Sequence, residues 1–397
     1  MNNLILIINP NSDNGNFNQE ITPIKEIFVN ECNDRLSVND ISESNACDYI
    51  YRNYNKKEIA ELLINFYLSK NKTVLVDGLL DIEVIEYLKQ NTDYTHLLIF
   101  TPSITSIETN NINAKTLNVY MWGDYYLNTY LQKEIVINQY NRFLGLVDGD
   151  DAVYIPTNQE INMYSAYAAM YHSHCLSRAV GACITTLEHE IITTGWNDVP
   201  KAGGGVYGLD NNNHCFKFKN PDQAYANEQI GICYKDFENK AIIDEIKSEL
   251  KGQGIEIGEK EEYIIQAIGK LQIKGLLEFS RSVHAEMHTI IKAAQLVGNK
   301  IKDSILYVTA FPCHNCARHI VLSGVKIVYF LEPFIKSRAI KLHNDSLKMY
   351  DELPNILPTD KVLLIPYQGV GGRSFESFFR RTGDLKLKVK SGLEYKF

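Results

Sequence analysis

One pair of short motifs limits this chain more than any other feature. His284-Ala285-Glu286 is followed by Pro312-Cys313-His314-Asn315-Cys316. An imidazole and two thiolates suit a borderline-soft ion such as Zn²⁺, and three protein ligands leave its fourth tetrahedral position open to water. An open position points to catalysis rather than bracing, with Glu286 beside it as the proton carrier. The fold must therefore bring together two stretches that a whole strand pattern, Ser304–Thr309, holds apart in sequence. A helical pattern over His284–Leu296 places His284 and Glu286 in one opening turn. A second, over Cys313–Leu322, sets both cysteines at a helix start, where backbone N–H groups and the helix dipole favour thiolate. Pro312 fits just ahead of that turn, since proline lacks the donor that a helix interior needs.

Neither motif says much alone. Cys-x-x-Cys also suits a redox pair or half of a closed zinc site, and His-Ala-Glu by itself means little. In this order, with a strand pattern between them and proline before the first cysteine, they point to metal-assisted hydrolysis. His288, one helical turn beyond His284, offers itself as a fourth ligand. A fourth protein ligand would close the site, so His288 reads instead as a residue behind the metal or at the surface. His214, Cys215 and Cys233 could form an extra metal site, and read more simply as incidental or buried thiols.

The chain has 397 residues, 45% of them hydrophobic and 22% charged, which is enough for two α/β domains that each bury a core. Apolar runs such as Leu4–Ile8 and His96–Phe100 are strand-sized, far short of the roughly 20 residues a membrane-spanning helix needs. Met1-Asn2-Asn3 leads into the first of them without a basic leader, so a cytoplasmic location is expected. Eight cysteines in such a chain read as thiols or metal ligands rather than disulfides. A net charge of −8 opposes general attraction to a polyanion. Arg380, Arg381, Lys386, Lys388, Lys390 and Lys396 nevertheless form a basic C-terminal tail, which reads as a solvated tail or as a local patch.

In the first half, strand-like runs at Leu4–Ile8, Thr73–Val76, His96–Phe100 and Thr116–Met121 alternate with helical patterns at Ile59–Leu68 and Ile82–Leu88. That alternation predicts a mainly parallel sheet. Asp148-Gly149-Asp150-Asp151 suits an exposed connection, giving domains over 1–150 and 151–397. The second domain reads as a helix over Gln159–His174, strands at Gly181–Thr185 and Glu190–Gly195, and a turn at Gly203–Gly205. A charged insertion at about 209–280 follows, with helical patterns around Asn239–Leu250 and Glu261–Leu277. After the two motifs come a strand at Lys326–Phe330, another helix and a strand near Val362–Ile365.

His-x-Glu with Pro-Cys-x-x-Cys is the signature of zinc-dependent nucleobase deaminases. About Ala166 to Ser374 resembles the deoxycytidylate deaminase group of the cytidine deaminase superfamily. The matching stretches are Leu176–Ala182, Gly195-Trp196-Asn197-Asp198-Val199-Pro200, Arg281–Met287 and Leu306–Cys313. The chain is further similar to two-domain bacterial anti-phage dCTP/dCMP deaminases, through Lys201-Ala202-Gly203-Gly204-Gly205, Val76-Asp77-Gly78 and Glu83–Leu88. The resemblance implies a cytidine-deaminase-like α/β/α domain with a five-stranded mixed sheet, Zn²⁺ on His284, Cys313 and Cys316, and Glu286 as the catalytic residue. It also implies substrate contacts from Asn197, Ala285 and the Thr309, Ala310 and Phe311 backbone. By residue type alone, Asn197 is as much a turn residue, and Arg178 either binds phosphate or caps carbonyls.

The first domain departs from its relatives. A phosphate-cradling loop needs Gly-x-x-x-x-Gly-Lys-Ser/Thr after the first strand. Here Asn9-Pro10-Asn11-Ser12-Asp13-Asn14-Gly15-Asn16 stands in that place, with one glycine and no lysine. A degenerate P-loop-kinase-like domain is expected, used for regulation, homo-oligomeric assembly or partner binding. A regulatory RNA or protein would meet it or the basic tail. The leading function is hydrolytic deamination of dCTP or dCMP, in anti-phage defence by nucleotide depletion. The alternatives are deamination of cytosine in RNA or single-stranded DNA, which needs a basic, aromatic groove, and a non-catalytic module with structural zinc, which leaves Glu286 without a purpose.

Overall fold

The computed structural model describes residues 4–8, 22–23, 55–70, 74–77, 81–92, 95–101, 107, 119–148, 153–208, 216–217, 232–254, 280–334, 337–350, 360–380 and 395–396. Along the chain run β1 (Leu4–Ile8), β2 (Thr22–Pro23), α1 (Lys56–Lys70), β3 (Val74–Asp77), α2 (Ile82–Asn91), β4 (Thr95–Phe100), β5 (Tyr125–Leu127), α3 (Lys133–Asp148) and β6 (Val153–Tyr154). Next come α4 (Asn158–Met170), β7 (Gly181–Thr185), β8 (Ile191–Trp196), β9 (Phe216–Lys217), β10 (Ile232–Cys233), α5 (Tyr234–Gly252), α6 (Ala285–Val297) and β11 (Ile305–Ala310). The last are α7 (His314–Ser323), β12 (Ile327–Glu332), α8 (Ala339–Leu342), β13 (Leu347–Met349), β14 (Val362–Pro366), β15 (Gly369–Val370), α9 (Phe375–Phe379) and β16 (Tyr395–Lys396). The chain groups into two compact units, Met1–Tyr164 with Ala310–His314 and Lys326–Phe397, and Ser165–Thr309 with Asn315–Val325.

The first unit is built on a sheet in the order β15-β5-β4-β1-β3-β2. Its first five strands in sequence are parallel, and β15 closes the β5 edge antiparallel, with Gly369 opposite Tyr126. Every residue of β1 is buried, as expected of a central strand covered on both faces. Helices α1 and α2 bury Ile59, Leu63, Val84, Ile85 and Leu88. Asp81 starts α2 by accepting from the N–H groups of Glu83 and Val84 at 2.9 and 3.2 Å. Val136, Tyr140 and Phe143 of α3 join Ile5, Ile7, Leu98, Phe100, Tyr125 and Val370 in one apolar cluster. In the same unit β12 and β13 both run parallel to β14.

Two buried carboxylates hold the C-terminal segment onto this sheet. Asp124 accepts from Lys89 Nζ at 2.6 Å, from the Leu97 N–H at 2.7 Å and from the Ser374 hydroxyl. Glu160 accepts from Arg142 at 2.8 Å, from the Thr157 N–H at 2.8 Å and from the Val370 N–H at 3.0 Å. Arg142 lies among the Tyr154 and Phe379 rings, with centroids at 5.9 and 5.7 Å. The guanidinium of Arg373 sits 3.6 Å over the Trp122 ring.

In the second unit β7 pairs antiparallel with both β8 and β11. Helix α4 crosses β7 at Gly181, where a Cβ would meet the Ala166 carbonyl oxygen at 2.0 Å and the Met170 nitrogen at 2.6 Å. Only glycine admits that approach. The charged pattern of the insertion does form a helix, α5, beside the short β9–β10 ribbon.

Some expectations change. Thr116–Met121 was expected as a strand, yet Val119 and Tyr120 belong to a helical turn and the strand is Tyr125–Leu127. The apolar residues there are buried as a turn packed into the core, with the Tyr126 hydroxyl donating to the Tyr120 carbonyl at 2.6 Å. Where five deaminase strands were expected, the described residues form six, the antiparallel trio β7, β8 and β11 and the parallel trio β12, β13 and β14. The Asn9–Asn16 segment, residues 149–152, Glu261–Leu277, His214, Cys215 and most of the basic tail lie outside the described residues. None of the described helices is long and apolar enough to cross a membrane. Cys175, Cys183, Cys313 and Cys316 are free of disulfides.

Replacing Glu160 by alanine would leave Arg142, 8% exposed, without its carboxylate and strip the Thr157 and Val370 N–H groups of their acceptor. We expect a loss of about 3–5 kcal/mol, the scale for breaking one side of a buried pair. Urea melts of wild type and Glu160→Ala read it directly, and coincident midpoints would contradict it.

Candidate active site

Helix α6 begins at His284, whose backbone is extended at φ −78° and ψ 158° as befits an N-cap. Glu286 therefore stands in the first turn, 4% exposed. Helix α7 begins one residue after Cys313 and carries Cys316 in its own first turn. The donor atoms of His284, Cys313 and Cys316 all lie within 4.8 Å of one another. His284 Nδ1 is 3.3 Å from Cys316 Sγ. Two ligands about 2.1 and 2.3 Å from one tetrahedral zinc stand roughly 3.6 Å apart, so the separation fits such an ion. Both cysteines are buried, and the donor set, one borderline nitrogen and two soft sulfurs, is one zinc accepts.

Why α6 sits where it does follows from β8. Gly195 lets the helix approach so closely that a Cβ there would meet Thr289 Oγ1 at 2.4 Å and the Thr289 nitrogen at 3.0 Å. Lys292 Nζ donates to the Thr194 carbonyl at 3.1 Å. His288 turns away from the three-donor cluster: its Nδ1 lies 3.0 Å from the Trp196 carbonyl oxygen, and its ring meets Trp196 edge-on at 5.1 Å. Burial pushes the His288 imidazole below its ordinary pKa. Just upstream, Asp198 and Val283 form an antiparallel bridge, the Val283 N–H donating to the Asp198 carbonyl at 2.9 Å. The residue before His284 is thereby fixed to the end of β8.

The residues expected to touch substrate fare differently. Asn197 is 7% exposed, and its side chain braces a loop: Oδ1 accepts from the Val180 N–H and Nδ2 donates to the Arg178 carbonyl, both at 2.8 Å. Arg178 is half-buried at that loop. Thr309 Oγ1 accepts from the Gly181 N–H at 3.1 Å, and the Phe311 N–H donates to the Glu332 carbonyl at 2.7 Å. Ala285 and Ala310 are buried. A pair that sequence reasoning passed over is His174 with Asp198, whose Nδ1 and Oδ2 stand 2.8 Å apart. Asp198 stands in the sequence only within the Asn-Asp-Val-Pro run, and nothing in residue spacing joins it to His174.

Comparison with known proteins now bears on this geometry. The model of the cytidine and deoxycytidylate deaminase zinc-binding region matches residues 156–332. A deoxycytidylate deaminase of enterobacteria phage T4 is 31% identical over 175 residues, 44% of this chain and 77% of that protein. This chain belongs to the cytidine and deoxycytidylate deaminase family. It is an enzyme of the zinc-type hydrolytic deaminase class. The deoxycytidylate deaminase of phage T2 is 30% identical over the same length, covering 79% of that protein. A probable deoxycytidylate deaminase of Caenorhabditis elegans is 48% identical over 50 residues, 13% of this chain and 24% of that one. The matched region of this deaminase, 156–332, holds His284, Glu286, Cys313 and Cys316 together with Asn197 and Asp198.

Because α6 carries His284 and Glu286, its contact with β8 should be felt at the metal. Gly195→Ala is expected to cost about 1–3 kcal/mol by overpacking and to weaken metal retention. Thermal melts and metal analysis after dialysis would show both, and a variant that kept wild-type values in each would refute the dependence.

Proposed function

We propose that this deaminase hydrolyses the exocyclic amine of a deoxycytidine nucleotide, dCMP or dCTP, to give the deoxyuridine nucleotide and ammonia. The observation that carries the reading is the crowding of His284, Cys313 and Cys316 within 4.8 Å, with the buried Glu286 in the first turn of the helix that His284 caps. His284 Nδ1 and the two sulfurs would hold Zn²⁺. When bound, the ion supplies a Lewis acid that brings the pKa of water from about 15.7 to about 7. Glu286 takes a proton from the attacking water and passes it to cytosine N3 as oxygen adds to C4. It then carries a second proton to the departing amine, so that one water is consumed and one ammonia released. Thr309, Ala310 and Phe311, at the end of β11, would border the base, and Ala285 and Asn197 its nucleoside.

The choice of substrate draws on the phage relatives, both named deoxycytidylate deaminases. The net charge of −8 sits better with a small nucleotide than with a polynucleotide. We further propose a degenerate kinase-like domain over 1–150 and a deaminase domain over 151–397, acting in the cytoplasm in anti-phage defence by nucleotide depletion. The five parallel strands in the order β2-β3-β1-β4-β5 support the first of these. A regulatory RNA or protein would engage that domain or the basic tail.

Ammonia release from dCMP, dCTP and a cytosine oligonucleotide, measured in parallel, tests the reading, and turnover of the oligonucleotide alone would overturn it. Glu286→Gln should keep its zinc and lose about 10²–10⁴-fold in kcat, the usual worth of a positioned proton carrier. Cys313→Ala should instead arrive depleted of zinc by metal analysis.

A further inference from the structure

The two cysteines of the three-donor cluster are held in different ways. Cys316 lies inside the first turn of α7, so the helix itself fixes its backbone. Cys313 stands one residue ahead of that helix, after a proline that has no N–H to donate. Its placement depends on the residues that lead into it as well as on the helix. Those residues are attached one after another to the end of β12 and the stretch beyond it. The Phe311 N–H donates to the Glu332 carbonyl at 2.7 Å, and the Phe311 ring meets Phe330 edge-on at 4.9 Å. The Pro312 carbonyl accepts from the Ser337 hydroxyl at 2.7 Å. Ser337 is half-buried and itself fixed: its N–H donates to the Phe334 carbonyl at 2.9 Å, and its Oγ accepts from the N–H of the buried Ala339 at 3.1 Å, where α8 begins.

A serine hydroxyl has one proton to give, and here the Pro312 oxygen takes it. That oxygen and the Cys313 nitrogen belong to one planar peptide. A bond that holds the oxygen therefore holds the plane from which Cys313 projects its side chain. We infer that Ser337 is a positioning residue for the metal centre: by fixing the Pro312 carbonyl it sets Cys313, and with it the tightness with which the ion is kept. Ser337 acts through the peptide before Cys313 and takes no part in the chemistry at C4. The inference rests on the reading of His284, Cys313 and Cys316 as the zinc ligands. A ligand already held in its bound arrangement gives up less freedom when the ion arrives. Hydrogen-bond partners behind metal ligands are accordingly worth about 10–100-fold in metal affinity.

The test uses the full-length protein as wild type, Ser337→Ala, Ser337→Thr and Ser337→Val, with zinc affinity measured by competition against a chromophoric chelator. Ser337→Ala should weaken zinc about tenfold or more. Ser337→Thr keeps the hydroxyl and should stay close to wild type. Ser337→Val has the shape of threonine without the hydroxyl and should fall with Ser337→Ala. Cobalt in place of zinc gives a second reading, because its sulfur-to-metal absorption band reports how the thiolates are placed: the band should weaken or shift in Ser337→Ala and Ser337→Val and not in Ser337→Thr. Unaltered zinc affinity in Ser337→Ala and Ser337→Val would overturn the inference, even with lowered melting temperatures, since that pattern marks a merely structural hydroxyl. So would a Ser337→Thr protein that held zinc as weakly as Ser337→Val. Wild-type protein that bound no zinc would remove the underlying reading of the three donors, and the part of Ser337 with it.

Discussion

Two thiol sulfurs and an imidazole nitrogen stand within 4.8 Å of one another, with Cys313 and Cys316 buried. Thiolates there would carry negative charge in a poorly hydrated place, which is costly unless a cation lies among them. A metal bound there would add to the stability of the local fold, since ligands must be deprotonated to bind and binding energy becomes folding energy. Cys183 marks the contrast: buried in β7, its thiol is pushed up to about 12 by burial and stays a neutral apolar side chain.

Holding donors at that spacing requires a rigid floor, and β8 provides it through α6. Three successive residues of the strand, Thr194, Gly195 and Trp196, each meet the helix: at Lys292, Thr289 and His288 respectively. The next residues along continue the job by other means. Asn197 braces the loop before β7, and Asp198 fixes both His174 and Val283. The Gly-Trp-Asn-Asp run is thus a line of attachment points that meets α6, the loop before β7 and Val283. This explains how a residue expected to touch the nucleotide can have its side-chain amide engaged with backbone.

What the sequence revealed, and what it hid, follows from the range of the interactions. The His-Ala-Glu and Pro-Cys-x-x-Cys motifs are local, and the helix starts they need are local too, so α6 and α7 fall within a residue of their expected bounds. Strands with several consecutive apolar residues, such as Leu4–Ile8 and Ile305–Ala310, were equally plain. Val119 and Tyr120 misled because the core that buries them lies elsewhere in the chain, and hydrophobicity alone does not tell a packed turn from a strand. The two-residue strand β15 has no period to read. Its existence depends on β5, far upstream, and on Glu160 accepting the Val370 N–H. The His174–Asp198 pair was hidden for the same reason.

That last strand changes how the first unit is understood. Composition suggests a chain divisible near residue 150, with a self-sufficient sheet on one side. The sheet in fact takes its edge from Gly369 and Val370, and its buried Asp124 takes one partner from Ser374. Arg142 of α3 takes its carboxylate from Glu160 of α4. A fragment ending at 150 would keep Arg142 and Asp124 but lose Glu160 and Ser374, and would expose the ladder groups of β5 that β15 covers. Unpaired edges and buried charges without partners are the costs a small α/β sheet tolerates least. The N-terminal sheet is for this physical reason completed by the end of the chain, and a truncation that removes the C-terminal segment acts on it as directly as a mutation in β5.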